Sequence, residues 1–86
     1  MRVRIPTPRR AYTNQQKVVE GAGTTVSEVF DDLDRRFPGI RFRMVDEQNR
    51  LRQHMNVWIG QEPVTDLAAP VTSDDEITIM QALSGG

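Results

Sequence analysis

A chain of 86 residues has room for one compact domain with a modest core, which favours a carrier or binding module over a self-contained enzyme with a deep cleft. It contains no cysteine, which excludes disulfides, zinc–thiolate sites, iron–sulfur clusters and thiol nucleophiles and fits a reducing cytoplasm. A formal net charge of −1 at pH 7 speaks against a general nucleic-acid binder, and no apolar run of membrane-anchor or signal-peptide length opens the chain.

Arg2-Val3-Arg4-Ile5 alternates charged and apolar residues and predicts a strand with one buried face, limited by Pro6 and Pro8. Tyr12 to Gln16 is polar and turn-like. Lys17-Val18-Val19-Glu20 predicts a second short strand, punctuated by Gly21 and Gly23. The helix is the clearest element, spanning Thr25 to Phe37. Thr25 and Glu28 have capping-box spacing, and Val26, Val29, Phe30, Leu33 and Phe37 make one apolar stripe. Asp31 with Arg35 and Asp32 with Arg36 are expected i,i+4 pairs, Asp31, Asp32 and Asp34 belonging to the polar face. Pro38 and Gly39 stop the helix. Ile40 to Val45 is ambiguous between strand and irregular turn, and Asp46 to Arg50 reads as a polar loop. Met55 to Ile59 is a strand with Met55, Val57 and Ile59 on one face. Gly60-Gln61-Glu62 turns the chain, Pro63-Val64 fits an edge strand, and Glu76 to Met80 is the last strand, with Ile77 and Ile79 inward.

The element order is strand, strand, helix, strand, short strand, strand. One helix with an apolar stripe must lie across one face of a mixed sheet. The expected fold is therefore α+β, the β-grasp or ubiquitin-like arrangement. It is assigned to residues 1–82 with a flexible tail at 83–86 and no second domain.

Little inside the domain resembles chemistry. His54, the single histidine, has no cysteine or carboxylate at ligand spacing, so no metal site is expected. The helix carboxylates lack the spacing of a calcium loop, and no Gly-Lys-Ser/Thr follows Gly21 and Gly23 to bind phosphate. Trp58 and Met80 fall on the sheet face opposite the expected core and suggest a partner-binding patch; the plainer reading is that the Arg41 to Met44 segment covers Trp58. Arginines crowd the middle of the sequence and acids its last third. That asymmetry offers either two electrostatic faces for partners or a solvated surface with local ion pairs.

The end of the sequence carries the chemical content. After Met80-Gln81-Ala82 come Leu83-Ser84-Gly85-Gly86. Two glycines make a thin end, and four extended residues reach roughly 13 Å, enough to thread a narrow channel. A terminal carboxylate, with a pKa of roughly 3.5, is an anion and a poor electrophile until adenylated. Bringing it to ATP joins two anions and needs Mg²⁺ and basic groups. Since the chain shows no nucleotide-binding motif, activation is assigned to a separate protein. The chain itself is read as a non-enzyme without a bound cofactor.

Ile5-Pro6-Thr7 followed by Arg10, Gln16-Lys17 entering the second strand, Gly39-Ile40 after the helix, Asn56 to Ile59 and the terminal Gly85-Gly86 together resemble the MoaD/ThiS family of ubiquitin-like sulfur carriers. The likeness covers essentially the whole chain and is nearest to the cysteine-biosynthesis branch. The glycines are its chemically specific part. The resemblance implies adenylation of Gly86 by a ubiquitin-activating-type enzyme that uses ATP and Mg²⁺. A sulfur donor protein then yields a thiocarboxylate. A sulfur-accepting synthase, pyridoxal-phosphate dependent in the cysteine branch, consumes it, and a metalloprotease releases the product. Leu83, Ser84 and Gly85 would thread into the partner. Relatives often carry proline or Val-Ala before the glycines, whereas this chain has Ala82-Leu83-Ser84. A cysteine-type pathway is favoured, with molybdopterin, thiamine and sulfur-containing siderophores left open as products.

Two other readings compete. A protein modifier would pass the same adenylate to a lysine, forming an isopeptide. A non-covalent β-grasp interaction module would keep full activity without its glycines. RNA binding through the central arginines is weaker still, because aromatic stacking groups are scarce.

Overall fold

The computed structural model describes residues 1–82. The expected tail at 83–86 lies outside the described residues. Five strands form one mixed sheet in the order β2-β1-β5-β3-β4. They are β1 (Arg2–Arg4), β2 (Val18–Glu20), β3 (Met55–Ile59), β4 (Glu62–Val64) and β5 (Glu76–Gln81). β1 pairs antiparallel with β2 through Val3 and Val19, and parallel with β5 through Val3 and Ile77. β5 pairs antiparallel with β3 through Ile79 and Val57, and β4 closes the other edge. The parallel β1–β5 pair cannot be joined by a tight turn. The rest of the domain forms that connection, and α1 (Val26–Arg36) is its main helix.

Alternation decides which side of the sheet is dry. Val3, Val19, Val57, Ile77 and Ile79 point inward and are buried. Val26, Val29, Phe30 and Leu33 of α1 pack into the same cluster. Gly21, between β2 and α1, sits where a Cβ would come within 2.9 Å of the Val3 side chain and 3.0 Å of the Val29 side chain, so a larger residue would force the packing between helix and sheet to shift.

Thr25 caps α1, its hydroxyl accepting the N–H of Glu28 at 3.2 Å. The return half of the expected capping box is displaced by one residue. The Glu28 carboxylate accepts from the N–H and hydroxyl of Thr24, both at 2.8 Å. Those bonds, the backbone one foremost and then the hydroxyl, hold the Glu28 carboxyl below its ordinary value. The expected Asp31–Arg35 pair is absent. Both Arg35 and Arg36 turn to Asp32 instead, because Asp32 is buried and already accepts the N–H of Ala22 at 3.1 Å. Asp32 therefore leaves the solvated face to which its position assigned it, and Asp31 pairs with Arg41 at 2.8 Å.

The ambiguous segment after α1 resolves into a second, short helix, α2 (Ile40–Met44). Gly39 makes the junction at φ 94°, a backbone region that suits glycine. Asp34 Oδ1 accepts the N–H groups of Gly39 and Arg41, both at 3.1 Å. Ile40 and Met44, one turn apart, are both fully buried, which fixes the helical choice over a strand. Between β1 and β2 a 3-10 helix runs over Thr7–Thr13, where only a proline-limited strand end and a turn were expected. The buried Thr13 hydroxyl lies 2.9 Å from the carbonyl of Gln16 and ties down the turn that follows.

Candidate functional site

The sheet holds the chain up to the last described residue. Gln81 pairs with Met55 across β5 and β3, and the Ala82 N–H donates to the His54 carbonyl at 2.8 Å. Leu83, Ser84, Gly85 and Gly86, the residues read as the working tail, lie outside the described residues. His54, at φ 73°, holds the end of β5 through its main-chain carbonyl. Beside this point is an open pocket of about 280 Å³ between the start of the 3-10 helix and the end of β5, with Arg4, Pro6, Arg10, Thr78, Met80 and Gln81 among its walls. Among the described residues, no group of three His, Cys, Asp or Glu side chains converges as a metal site would require.

Trp58 and Met80 come together on the outward sheet face. Trp58 stands between Thr78 on β5 and Pro63 on β4, and Met80 stands opposite Asn56. That register makes Trp58 and Met80 diagonal neighbours, within reach of large side chains. Met80 is 52% exposed, one of two large hydrophobic residues so placed among the described residues. Trp58 is half-buried. The 40–44 segment does not cover it, because Ile40 and Met44 of α2 join the core on the opposite side of the sheet. In the same outward face Arg4 pairs with Glu76 at 2.8 Å, and this bond holds the Glu76 carboxyl below its ordinary value.

Most central arginines are spent on local structure. Arg41 lies against Asp31 as a contact ion pair and also donates to Asn49 at 2.8 Å and to the Ser27 hydroxyl at 3.1 Å. Arg43 donates to the Tyr12 hydroxyl at 2.7 Å. The plainer reading of local pairs holds for Arg35, Arg36 and Arg41. The second exposed apolar residue, Phe42, was not singled out in the sequence. It is 56% exposed, with the Arg52 guanidinium 4.5 Å from its ring centroid. The available signal was the Ile40/Met44 spacing, which turns Phe42 outward once the segment is helical.

The ThiS family model matches residues 3–86. The sulfur carrier protein CysO of Mycobacterium tuberculosis is 34% identical over 89 residues, spanning 98% of this chain and 96% of its own length. Among solved structures, the BexX/CysO complex of Amycolatopsis orientalis contains a chain that superposes with a TM-score of 0.91. Its identity is 40%, with coverage of 99% of this chain and 98% of the other. The crystal structure of Mycobacterium tuberculosis CysO gives a TM-score of 0.89 at 32% identity, covering 95% of this chain and 98% of that one.

Proposed function

This chain belongs to the ThiS family and is a ubiquitin-like sulfur carrier of the cysteine type, and we propose that the carboxylate of Gly86 is the group that carries the sulfur. One observation carries this reading. The family match runs through Gly86, so it takes in the Gly85-Gly86 pair on which the electrophile chemistry depends. Four residues separate Ala82, which the His54 carbonyl holds at the end of β5, from that carboxylate, at most roughly 13 Å of chain.

The chemistry divides between carrier and partners. A ubiquitin-activating-type enzyme brings ATP and Mg²⁺, and a carboxylate oxygen of Gly86 attacks the α-phosphorus as pyrophosphate leaves. The resulting acyl-adenylate has a good leaving group. A sulfide-level nucleophile supplied by a sulfur donor protein attacks the carbonyl. AMP departs with the oxygen that bonded it, leaving a thiocarboxylate. The carrier supplies no catalytic side chain in this scheme, and the glycines leave space around the reacting carbonyl. A sulfur-accepting synthase then uses the terminal sulfur as its nucleophile. Pyridoxal phosphate on that enzyme and a metalloprotease to free the product are consistent with the cysteine branch. The domain face that such proteins meet is the outward sheet surface with Trp58 and Met80, next to the root of the tail.

Among the described residues no helix is long and apolar enough to cross a membrane. A cytoplasmic setting fits both the cysteine-free composition and the use of ATP.

The experiment is intact-mass analysis after co-expression with the activating enzyme of the same genome. One oxygen replaced by one sulfur, localised by fragmentation to Gly86, is the expected result. Deleting Gly86 leaves a carboxylate on Gly85 about 3.5 Å short of its former position. A displacement of even about 1 Å can cost on the order of a hundredfold in rate, so the shortened protein should fold normally and accept sulfur very poorly. Unimpaired thiocarboxylate formation by the deletion variant would overturn the assignment.

A further inference from the structure

The sheet topology sorts charge to its two ends. β5 runs towards Gly86, β1 runs parallel to it, and β2 and β3 run the opposite way. Residues that follow β1, and residues that precede β2 and β3, therefore gather where β5 finishes. Three of them are Arg10, Lys17 and Arg52. Arg10 lines the same pocket as Met80 and Gln81. The Lys17 carbonyl accepts the N–H of Ile5, just past β1, at 2.9 Å. The Arg52 carbonyl accepts the N–H of Met55 at 3.0 Å, and Met55 faces Gln81. Lys17 and Arg10 thus lie on one side of the tail's root and Arg52 on the other.

Among the described residues, none of these three cations is within ion-pair distance of a carboxylate. Arg10 and Arg52 instead direct Nε to main-chain carbonyls, those of Ile5 at 3.1 Å and Phe42 at 2.6 Å. Such bonds fix the direction of a guanidinium without neutralising it. The opposite end of the sheet collects Glu20 at the end of β2, Glu62 at the start of β4, and Asp74, Asp75 and Glu76 leading into β5. There the Met1 amino group and Arg4 offset only Glu20 and Glu76.

We infer that Arg10, Lys17 and Arg52 form a docking surface for the adenylating enzyme, meeting an acidic rim around the channel that receives the tail. This rests on the reading of Gly86 as the working group. A partner that draws the last four residues out to their full reach of roughly 13 Å separates the carboxylate from the cations by more than the Debye length of roughly 8 Å at physiological ionic strength. The two then act as separate charges. The carboxylate is drawn to a cationic, magnesium-bearing active site, and the cations at the root are drawn to a negative mouth. The acidic far end is repelled by that same mouth, so encounter is biased tail-first.

Stopped-flow association of the full chain with the adenylating enzyme of its genome, without ATP or a sulfur source, tests this at low and physiological salt. Lys17→Glu is the cleanest variant because its exposed side chain makes no hydrogen bond or ion pair among the described residues. Arg10→Gln and Arg52→Gln remove the other charges, with circular dichroism as the check on folding. The combined variant should associate about tenfold more slowly at low salt, with the deficit shrinking as salt rises. Glu62→Lys and Asp74→Lys at the far end should change the rate by less than about twofold. Salt-independent wild-type association, failure of the wild type to bind, or equal slowing by far-end variants overturns the docking surface. Because binding is read without chemistry, the two readings separate. Normal steered binding with no thiocarboxylate on Gly86 sinks the sulfur assignment alone. Thiocarboxylate formation with unaltered association of the combined variant sinks the docking surface alone.

Discussion

Asp32 shows how a single buried acid can reorganise a helix face. Its carboxylate accepts from the Ala22 N–H and from both Arg35 and Arg36, so it ties the loop after β2 to the C-terminal half of α1. The sequence made Asp31 and Asp32 equivalent, each with an arginine four residues on. Only the approach of the loop around Ala22 distinguishes them, and that approach is a tertiary fact invisible to helical spacing. Asp32→Ala should lower stability by roughly 1–3 kcal/mol, since the part-buried Ala22 N–H loses a charged, buried partner while the arginines remain largely solvated. Asp31→Ala, whose carboxylate is well exposed, should cost no more than about 1 kcal/mol. Urea denaturation of the two variants makes the comparison, and equal losses would contradict the distinction. At the same scale the expectation for Gly85 and Gly86 is chemical from the start: the absence of side chains and a terminal carboxylate can be read without a fold.

At the scale of elements, α1 was the most legible part because three signals coincide: the Thr25 cap, the apolar stripe and the Pro38-Gly39 stop. Leu33 sits in the middle of that stripe and is fully buried. Leu33→Ala should therefore cost roughly 2–5 kcal/mol, read as a lower denaturation midpoint with an unchanged slope. The start of the helix should also carry an acid sensitivity. Glu28 has a folded-state pKa below its ordinary value of 4.5, because Thr24 donates to its carboxylate. A depressed acid contributes stability above its unfolded value and loses it as pH falls through the folded one. Thermal midpoints should thus drop as pH falls below about 4.5, with a shallower drop in Glu28→Gln. Asp46, lowered first by the Arg50 N–H, and Glu76, lowered first by Arg4, act in the same direction, so the slope should be reduced rather than abolished. The less legible elements are short. The 3-10 helix at Thr7–Thr13 and α2 hold too few residues for a period to declare itself, and burial of Thr13, Ile40 and Met44 decides them.

At the scale of the whole molecule, one face of the sheet is sealed by α1 and α2, and the other faces outward. The order of the strands and the main helix followed from the sequence pattern, and the inward positions of Val57, Ile77 and Ile79 from alternation, whereas the 3-10 helix and α2 did not. The β2-β1-β5-β3-β4 order, with β1 parallel to β5, could not follow from periodicity, because nothing in a strand's own pattern names its neighbour. That order places Trp58 and Met80 diagonally across adjacent strands, Met80 near the end of β5. An exposed methionine and a half-buried tryptophan offer apolar area to a partner at a place where the fold itself gains little from it. Trp58→Asp and Met80→Asp should therefore leave the thermal midpoint nearly unchanged. A cost of up to about 1 kcal/mol is expected, as for surface positions away from the core. Both should raise KM for adenylation by the partner enzyme. Loss of a buried aromatic anchor typically costs about 2 kcal/mol or more of binding energy, so the rise for Trp58→Asp should be on the order of thirtyfold, and smaller for Met80→Asp. The maximal rate at saturating carrier should hold, because neither residue approaches the carbonyl of Gly86 in the proposed chemistry. Steady-state pyrophosphate release over a range of carrier concentrations separates the two parameters. An unchanged KM in both variants would remove the patch from the interface, and a fallen maximal rate with constant KM would mean that it positions the tail for reaction.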